Sequence, residues 1–303
     1  MRLFPTGVPW RVSRRGTERL MGVVSDIERQ LGKLRVLEEA DGVPELRTST
    51  MTHIVWCPPE WYAKASVTLA GLAERHPART IILIPEAGRK SEVSAQAELQ
   101  GFQLPGMAHE VLSEVIRVRL RGDAVHHPGS IITPLLVSDL PVFCRWRGEP
   151  TWGTGELEEI LGVTDRLVVD SSEWRRPPSA YVELATLFER TAVSDIAFSR
   201  SLPWRRKLAD LWPEIASIVK LRIEGPRADA ELVAGWLRSR LKREISLTRR
   251  EAETIRAIWV DGQAVGAGGE ALSSSELLSG ELDWFGRDPV YEAAVRAALP
   301  ASI

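Results

Sequence analysis

The chain has 303 residues, of which 44% are apolar and 26% are charged, and its formal net charge at pH 7 is −2. This composition is ordinary for a globular protein, and the near-neutral charge gives no electrostatic reason to expect a nucleic-acid or anionic-membrane partner. No apolar run approaches the roughly 20 residues of a membrane span, and no apolar segment follows the amino-terminal arginines as in a secretory signal. Cys57 and Cys144 form no CxxC pair, which favours buried, reduced thiols. We therefore expect a cytoplasmic protein.

The amino-terminal residues show no periodicity. Residues 1–15 contain two prolines and scattered arginines, and predict an arm that lies on the fold or on a partner. From Thr17 to Leu34, apolar residues recur every three or four positions. This spacing predicts an amphipathic helix that lies against a sheet.

A strand, a helix and a second strand are predicted next. Thr52–Cys57 is rich in β-branched and aromatic residues and ends at two prolines, as a strand does. Glu60–Arg75 has helical spacing, and Arg79–Ile84 is apolar enough for a buried strand. Three such elements within about 35 residues predict a right-handed βαβ unit.

The most informative stretch is Ser130–Pro150. Within it, Val142–Cys144 is a short apolar run that predicts a strand buried on both faces. The run ends in Arg145–Pro150, where charged, aromatic and turn-forming residues crowd together. Open α/β sheets bind their ligands beyond the carboxyl ends of their strands. We therefore expect a binding surface just past this strand.

The remaining elements continue the alternation. Val93–Phe102 and Val115–Leu120 alternate in polarity, which predicts strands at a sheet edge or in antiparallel pairing. Further helices are predicted over Gly155–Gly162, Ala180–Arg190, Pro203–Trp212, Asp229–Leu241 and Pro289–Ala298. Further strands are predicted over Arg166–Asp170, Ser217–Glu224 and Thr254–Val260. The tail, rich in Gly and Ser over residues 266–275, is predicted to be loop until the last helix begins at Pro289.

Strands that alternate with helices predict an α/β fold: a mostly parallel sheet flanked by helices, with a second, smaller α/β domain. Residues Ser171–Ser179 contain Trp174-Arg175-Arg176-Pro177-Pro178, a composition that suggests a linker or hinge. We therefore expect an N-terminal domain over residues 16–175 and a C-terminal domain over 176–303.

The sequence carries no recognisable catalytic motif. It has no GxxxxGK[ST] phosphate loop and no GxSxG nucleophile, and the glycines within residues 266–269 lack the dinucleotide-binding spacing. His109-Glu110 begins like a zinc-protease motif, but Ser113 stands where the second histidine is needed, and His126-His127 lack recognisable ligand spacing. We predict no catalytic residue, no cofactor and no metal site.

Four polar residues near predicted element ends form a candidate ligand site: His76, Arg79, Asp139 and Asp170. In this alternative the protein is an enzyme or sensor that binds a sugar phosphate, because arginine can hold a phosphate through two hydrogen bonds. Structural roles compete with it. His76 would interact with the dipole of the preceding helix, and Arg79 would pair with a carboxylate such as Asp170 or Asp195.

Tryptophan and arginine are the second candidate set. The chain has 11 tryptophans, and several stand beside Arg, Pro or Gly at predicted element ends. Both residue types are enriched in the hot spots of protein interfaces. We expect a partner-binding surface built from Trp146, Arg147, Arg200, Trp204 and Arg205. The structural alternative is that such tryptophans anchor the core with one edge in water.

Six segments in a fixed order carry a resemblance to a known family. They are His76–Ile84, Ile132–Val142, Trp146 with Gly148–Pro150, Val169–Ser171, Ser194–Ile196 with Arg200–Arg205, and Ala234–Leu241. In this order, from about Arg47 to Val260, the chain resembles the OpcA family, the glucose-6-phosphate dehydrogenase assembly proteins.

The resemblance implies a non-enzymatic cytoplasmic protein whose partner is glucose-6-phosphate dehydrogenase. It would help that enzyme assemble, or activate it allosterically, in the oxidative pentose phosphate pathway. Family members often carry cysteine where this chain has Ala78, and some are linked to thioredoxin control, so the resemblance does not imply redox control here. It assigns no partner-contacting residue.

Overall fold

The structure is a computed structural model that describes residues 2–3, 16–40, 45–47, 49–73, 75–103, 110–266, 268–269 and 271–299. Of the predicted arm over residues 1–15, residues 2–3 form a short strand, and the rest of that prediction lies outside the described residues.

The described residues form ten α-helices and thirteen strands. The helices are α1 (Gly16–Ala40), α2 (Tyr62–Ala70), α3 (Gly129–Ile132), α4 (Gly155–Leu161), α5 (Pro177–Leu187), α6 (Ile196–Arg200), α7 (Leu202–Ala209), α8 (Arg227–Leu241), α9 (Ser274–Leu282) and α10 (Pro289–Ala298). The strands are β1 (Arg2–Leu3), β2 (Glu45–Arg47), β3 (Met51–Trp56), β4 (Ala78–Glu86), β5 (Glu92–Gln103), β6 (Glu110–Arg121), β7 (Val142–Trp146), β8 (Arg166–Val169), β9 (Ala192–Asp195), β10 (Lys220–Glu224), β11 (Ser246–Arg250), β12 (Ala257–Val260) and β13 (Gln263–Val265).

Internal contacts divide the chain into two compact units. The first comprises residues 1–167 and 278–285, and the second comprises residues 168–277 and 286–303. The division falls inside β8, whereas the sequence suggested a boundary after Arg175. The segment expected to be a hinge contains a 3-10 helix, Ser171–Glu173, and the start of α5. Trp174 within it is buried.

The first unit is built on a mostly parallel sheet. Its strand order is β1-β5-β6-β4-β3-β7, with β2 beside β6. β3, β4, β6 and β7 run parallel, while β5 pairs antiparallel with β6 over its whole length. The predicted α/β class with a mostly parallel sheet is therefore confirmed, as is the antiparallel pairing of the two alternating strands.

The predicted βαβ unit is formed by β3, α2 and β4. β3 and β4 pair in parallel, and α2 covers their shared face, where Val55, Ala65 and Ile82 belong to one apolar cluster. The helix is shorter than predicted, because a 3-10 turn over Pro59–Trp61 precedes it and it ends at Ala70, before Gly71. Glycine has one of the lowest helix propensities, which favours an end at this point.

The strand predicted within Ser130–Pro150 is confirmed. All five residues of β7 are buried, and the strand lies parallel to β3. The apolar residues that precede it form α3 and a short 3-10 turn, in which Ile131, Ile132 and Leu135 are buried.

The second unit contains a smaller sheet in the order β11-β10-β12-β13. α8 supplies Val233, Ala234 and Leu237 to the apolar core of this sheet. On α8, Gly235 allows α10 to approach closely, since a Cβ at this position would lie 2.2 Å from the carbonyl oxygen of Ala294. The predicted second, smaller α/β layer is confirmed.

Several elements escaped the sequence analysis. α9 lies within and after the Ser-rich segment predicted to be a loop, yet Leu277, Leu278 and Leu282 are buried on it. β11 has an alternating exposed pattern typical of an edge strand, and β9 and β13 are only a few residues long. Short strands and helices of mixed composition carry too little periodicity to be recognised locally.

Candidate functional site

A tryptophan pair lies at the carboxyl ends of β3 and β7. The rings of Trp56 and Trp146 stack with their centroids 4.8 Å apart, and Trp146 is only 1% exposed. Beyond it, the Arg147 guanidinium lies 4.9 Å from the ring centroid of Trp61. Gly148 follows at φ +77°, and a Cβ there would lie 3.2 Å from the indole nitrogen of Trp61. Trp146 and Arg147 are therefore parts of a packed interior and do not form an exposed surface.

Arg200 joins two carboxylates in the second unit. Its guanidinium donates two hydrogen bonds to Asp229, at 2.9 and 3.1 Å, and two to Asp170, at 3.3 and 3.4 Å. Asp229 is fully buried. Burial alone would lower the pKa of Arg200, but Asp170 and Asp229 outweigh it and raise that pKa above its ordinary value. Arg200 is thus committed to an internal ion pair.

Trp204 and Arg205 are also buried. The Arg205 guanidinium lies 3.6 Å from the ring centroid of Phe198 and donates to the carbonyl oxygen of Phe198 and to the hydroxyl of Ser201, each at 3.1 Å. Burial lowers the pKa of Arg205 to about 10. Of the five side chains expected to form a partner-binding surface, Arg200 is partly exposed and the other four are buried against neighbouring residues.

The four residues of the candidate ligand site each have separate surroundings. Arg79 donates to Glu114 at 2.7 Å and to Glu28 at 3.2 Å, so its counter-ions are neither Asp170 nor Asp195. These glutamates come from a neighbouring strand and from α1, and their side chains are only partly buried.

His76 was expected to interact with the end of the preceding helix. Instead its Nε2 lies 2.8 Å from the hydroxyl of Ser279 and 3.7 Å from the carboxylate of Asp283. Burial lowers the pKa of His76, and Asp283 opposes that effect. Asp139 is exposed in a turn with φ 63°, and Asp170 is held by Arg200 in the second unit. Nearby side chains therefore hold His76, Arg79 and Asp170 through hydrogen bonds and ion pairs.

Asp195 is a buried carboxyl group at the end of β9. Its Oδ1 accepts hydrogen bonds from the backbone N–H groups of Ser171, at 3.0 Å, and Ala197, at 2.9 Å, and its Oδ2 lies 3.5 Å from the hydroxyl of Tyr291. Burial, together with the nearby Asp170, raises the pKa of Asp195 to about 7. Sequence reasoning placed this residue only as a counter-ion for Arg79.

Within the described part of the chain, no group of three or more His, Cys, Asp or Glu side chains is arranged to hold a metal ion. The same residues include no helix that combines the length and the apolar character needed to cross a bilayer.

Two models of known protein families match the sequence of this chain. Residues 70–186 match the family model described as the N-terminal domain of a glucose-6-phosphate dehydrogenase subunit, and residues 191–271 match that of its C-terminal domain. Together the two matches cover most of the chain. The chain belongs to the OpcA family. The resemblance read from the six ordered segments is thereby confirmed.

Two curated members of the OpcA family are similar to this chain. Each is named as an OxPP cycle protein OpcA: one from Synechocystis sp. is 29% identical over 184 residues, and one from Nostoc punctiforme is 27% identical over 182 residues. Each match covers 56% of this chain but only 38% and 39%, respectively, of the relatives. The family models are described as domains of a glucose-6-phosphate dehydrogenase subunit, and the names of the two relatives refer to the OxPP cycle.

Proposed function

We propose that this protein binds glucose-6-phosphate dehydrogenase in the cytoplasm and promotes its assembly or its active state without catalysing a reaction itself. The observation that carries the proposal is the order of the two family matches, since both are described as domains of a glucose-6-phosphate dehydrogenase subunit. The names of the two curated relatives refer to the same oxidative pathway.

Activation requires a difference in affinity. A protein that binds both states of an enzyme equally tightly shifts nothing, so this chain must bind the active or assembled dehydrogenase more tightly than the inactive form. It follows that activation and a change in the oligomeric state of the dehydrogenase should depend on the same concentration of this protein.

The exposed aromatic side chains are the best candidates for contacts. Trp284 and Phe285, in the first unit, are each 64% exposed, and Trp212, in the second unit, is 67% exposed. Large aromatic residues in water are costly, and they gain most when an interface buries them. We therefore place the principal contact at Trp284 and Phe285, in place of the buried Trp146 and Trp204.

The test mixes the purified chain with the dehydrogenase of the same organism at micromolar concentrations. Light scattering after size exclusion should show a complex, and dehydrogenase activity should rise over the same concentration range. Absence of both effects would refute the proposal.

Substitutions then locate the surface. Changing Trp284 and Phe285 together to Ala should weaken the complex about 30-fold or more, as expected for loss of a hot spot of about 2 kcal/mol. Trp212→Ala tests the second unit, and Leu272→Ala is a matched control because Leu272 is an exposed apolar residue in a loop. If the double variant binds with unchanged affinity, the principal contact is not at Trp284 and Phe285, although the dehydrogenase remains the proposed partner.

A further inference from the structure

One face of the large sheet carries polar residues where apolar ones are expected. Side chains alternate between the two faces of a strand, so positions two apart share a face. His53 lies beside Thr80 in the register of β3 and β4, and Ser113 lies beside Gln100 in the register of β5 and β6. Arg117 lies beside Ile82, on the face that α2 covers. A covered face normally excludes such side chains.

These side chains line a cavity of about 320 Å³ in the first unit. The cavity lies against α2 and the turn after it, and Leu282 completes its wall. Its apolar lining includes Met51, Leu69, Leu72 and Val115. This volume falls at the lower end of the range of about 300–1,000 Å³ typical of small-molecule sites.

Three buried polar atoms of the cavity lining have no hydrogen-bond partner among the described residues: His53 Nε2, Ser113 Oγ and Arg117 Nε. His53 is 3% exposed and Ser113 is 4% exposed. Leaving such a group unpaired costs about 1–3 kcal/mol, and most buried polar groups in proteins are paired. Three of them around one cavity indicate a molecule that pairs with them.

The charges and hydrogen-bonding groups of the cavity lining indicate which class of ligand it binds. Arg117 is one of the lining residues. Another of its nitrogens donates to Glu98 at 2.6 Å, whereas its Nε–H, which can only donate, is buried and unpaired among the described residues. Burial, with smaller contributions from His76 and Arg145, lowers the pKa of His53 to about 3, so the imidazole is neutral and can donate through Nε2. None of the described residues that line the cavity is acidic. The polar end therefore offers hydrogen-bond donors from Arg117, Ser113 and neutral His53, and it favours a strong acceptor such as a carboxylate.

We propose that this cavity binds a small carboxylic acid with an apolar body, whose carboxylate accepts hydrogen bonds from Arg117 Nε, Ser113 and His53. The apolar body contacts Leu69, Leu72 and the neighbouring lining. Hydrogen bonds between a carboxylate and a guanidinium are stronger than neutral ones, so the carboxylate distinguishes this ligand from an alcohol of the same shape.

The test uses hexanoate and benzoate, with hexan-1-ol and benzyl alcohol as neutral counterparts. Calorimetry and NMR of the isolated protein should show that at least one acid binds with a dissociation constant of about 1 mM or tighter, a reasonable limit for molecules of this size. Its alcohol should bind at least about tenfold more weakly, the equivalent of 1.4 kcal/mol. No binding of either acid, or equal binding of acid and alcohol, would overturn the proposal.

Substitutions in the cavity test its hydrogen-bond donors and its free volume separately. Ser113→Ala should weaken acid binding by more than about tenfold, the loss expected for one hydrogen bond to a charged group. Ser94→Ala is the matched control, since Ser94 is a half-buried serine of β5 outside the cavity lining. Ala73→Leu fills the cavity from its edge and should abolish binding while every donor stays in place. Unchanged binding in both cavity variants would overturn the proposal.

A crystal structure of the protein with the more tightly bound acid provides the last measurement. The carboxylate should lie within hydrogen-bonding distance of Arg117 Nε and Ser113 Oγ, whereas water alone on these atoms would overturn the proposal. All these measurements use the isolated protein. A failure here would therefore leave the proposed binding to the dehydrogenase untouched, and a failure of that binding would not affect the cavity.

Discussion

The indole ring of Trp146 stacks on that of Trp56 with only 18° between their planes, at the ends of two adjacent parallel strands. The stack places the most prominent aromatic residue of the Ser130–Pro150 stretch inside the first unit. Its energetic role is therefore packing, and its substitution should be read first as a change in stability.

Trp146→Ala should lower the free energy of unfolding by about 3–5 kcal/mol, because it removes a buried indole and leaves a cavity. Urea unfolding followed by circular dichroism measures this loss, and Trp146→Phe should show a smaller one. Trp212→Ala is the control: it removes an exposed indole and should change stability by about 0.5 kcal/mol or less. A fully stable Trp146→Ala protein would contradict the packing role.

Arg200→Gln should be strongly destabilising, by about 3–5 kcal/mol, because it leaves Asp229 buried without a counter-ion. Asp229→Asn in the same background should recover part of the loss, since the amide carries no charge. The double-mutant cycle measured by urea unfolding gives the coupling between the two residues. Arg206→Gln, at an exposed position of α7, is the control. A coupling near zero would show that the ion pair does not hold this part of the second unit.

Asp195 should make stability depend on pH. Its pKa is about 7 in the folded protein and about 3.9 in an unfolded chain, so between these values the folded state holds a proton that the unfolded state has lost. Its contribution to stability is therefore full below pH 4 and is lost as the pH rises to about 7. Asp195→Asn keeps an oxygen acceptor for the N–H groups of Ser171 and Ala197 and removes the ionisation.

We therefore expect Asp195→Asn to gain stability relative to the wild type as the pH rises from about 4 to about 7, by about 1.4 kcal/mol for each pH unit in that window. Urea unfolding at several pH values measures the difference. Asp210→Asn, at an exposed position, should show no such trend. A constant difference between wild type and Asp195→Asn across the range would mean that the carboxyl group does not titrate there.

The two thiols should be inert in the folded protein. Cys57 and Cys144 are fully buried, and burial raises the pKa of Cys144 to about 12. Because the thiolate is the reactive form, an aromatic disulfide reagent should label neither residue in the native state and both after denaturation. Absorbance of the released thiolate counts the reacted groups. Rapid labelling of the native protein would indicate that the first unit opens in solution, and it would support a redox role for these two thiols.

Local sequence patterns were sufficient for the elements with strong periodicity or clear ends. The spacing from Thr17 to Leu34 predicted α1, and the apolar run ending at the prolines after Cys57 predicted β3. The alternation of Val115–Leu120 predicted a strand at a sheet edge or in antiparallel pairing, and β6 pairs antiparallel with β5. The six ordered segments were sufficient to identify the family, because the order of motifs along a chain is visible without knowledge of the tertiary structure.

The burial of individual side chains could not be read in this way. Trp146 and Trp212 both stand beside turn-forming or charged residues, yet one is buried in the sheet and the other is exposed. Likewise, no local pattern pairs Arg79 with Glu114 and Glu28, which are distant in sequence. Which side chains are buried and which ion pairs form depend on which strands become neighbours.

The sequence by itself therefore determined the α/β class, most of the long elements and the family. The tertiary structure alone decided that Trp146, Arg147, Trp204 and Arg205 are internal, and that His53, Ser113 and Arg117 meet at one cavity. The physical reason is that periodicity records which face of an element is apolar, whereas pairing and enclosure arise only when β3, β4 and β6 are brought side by side.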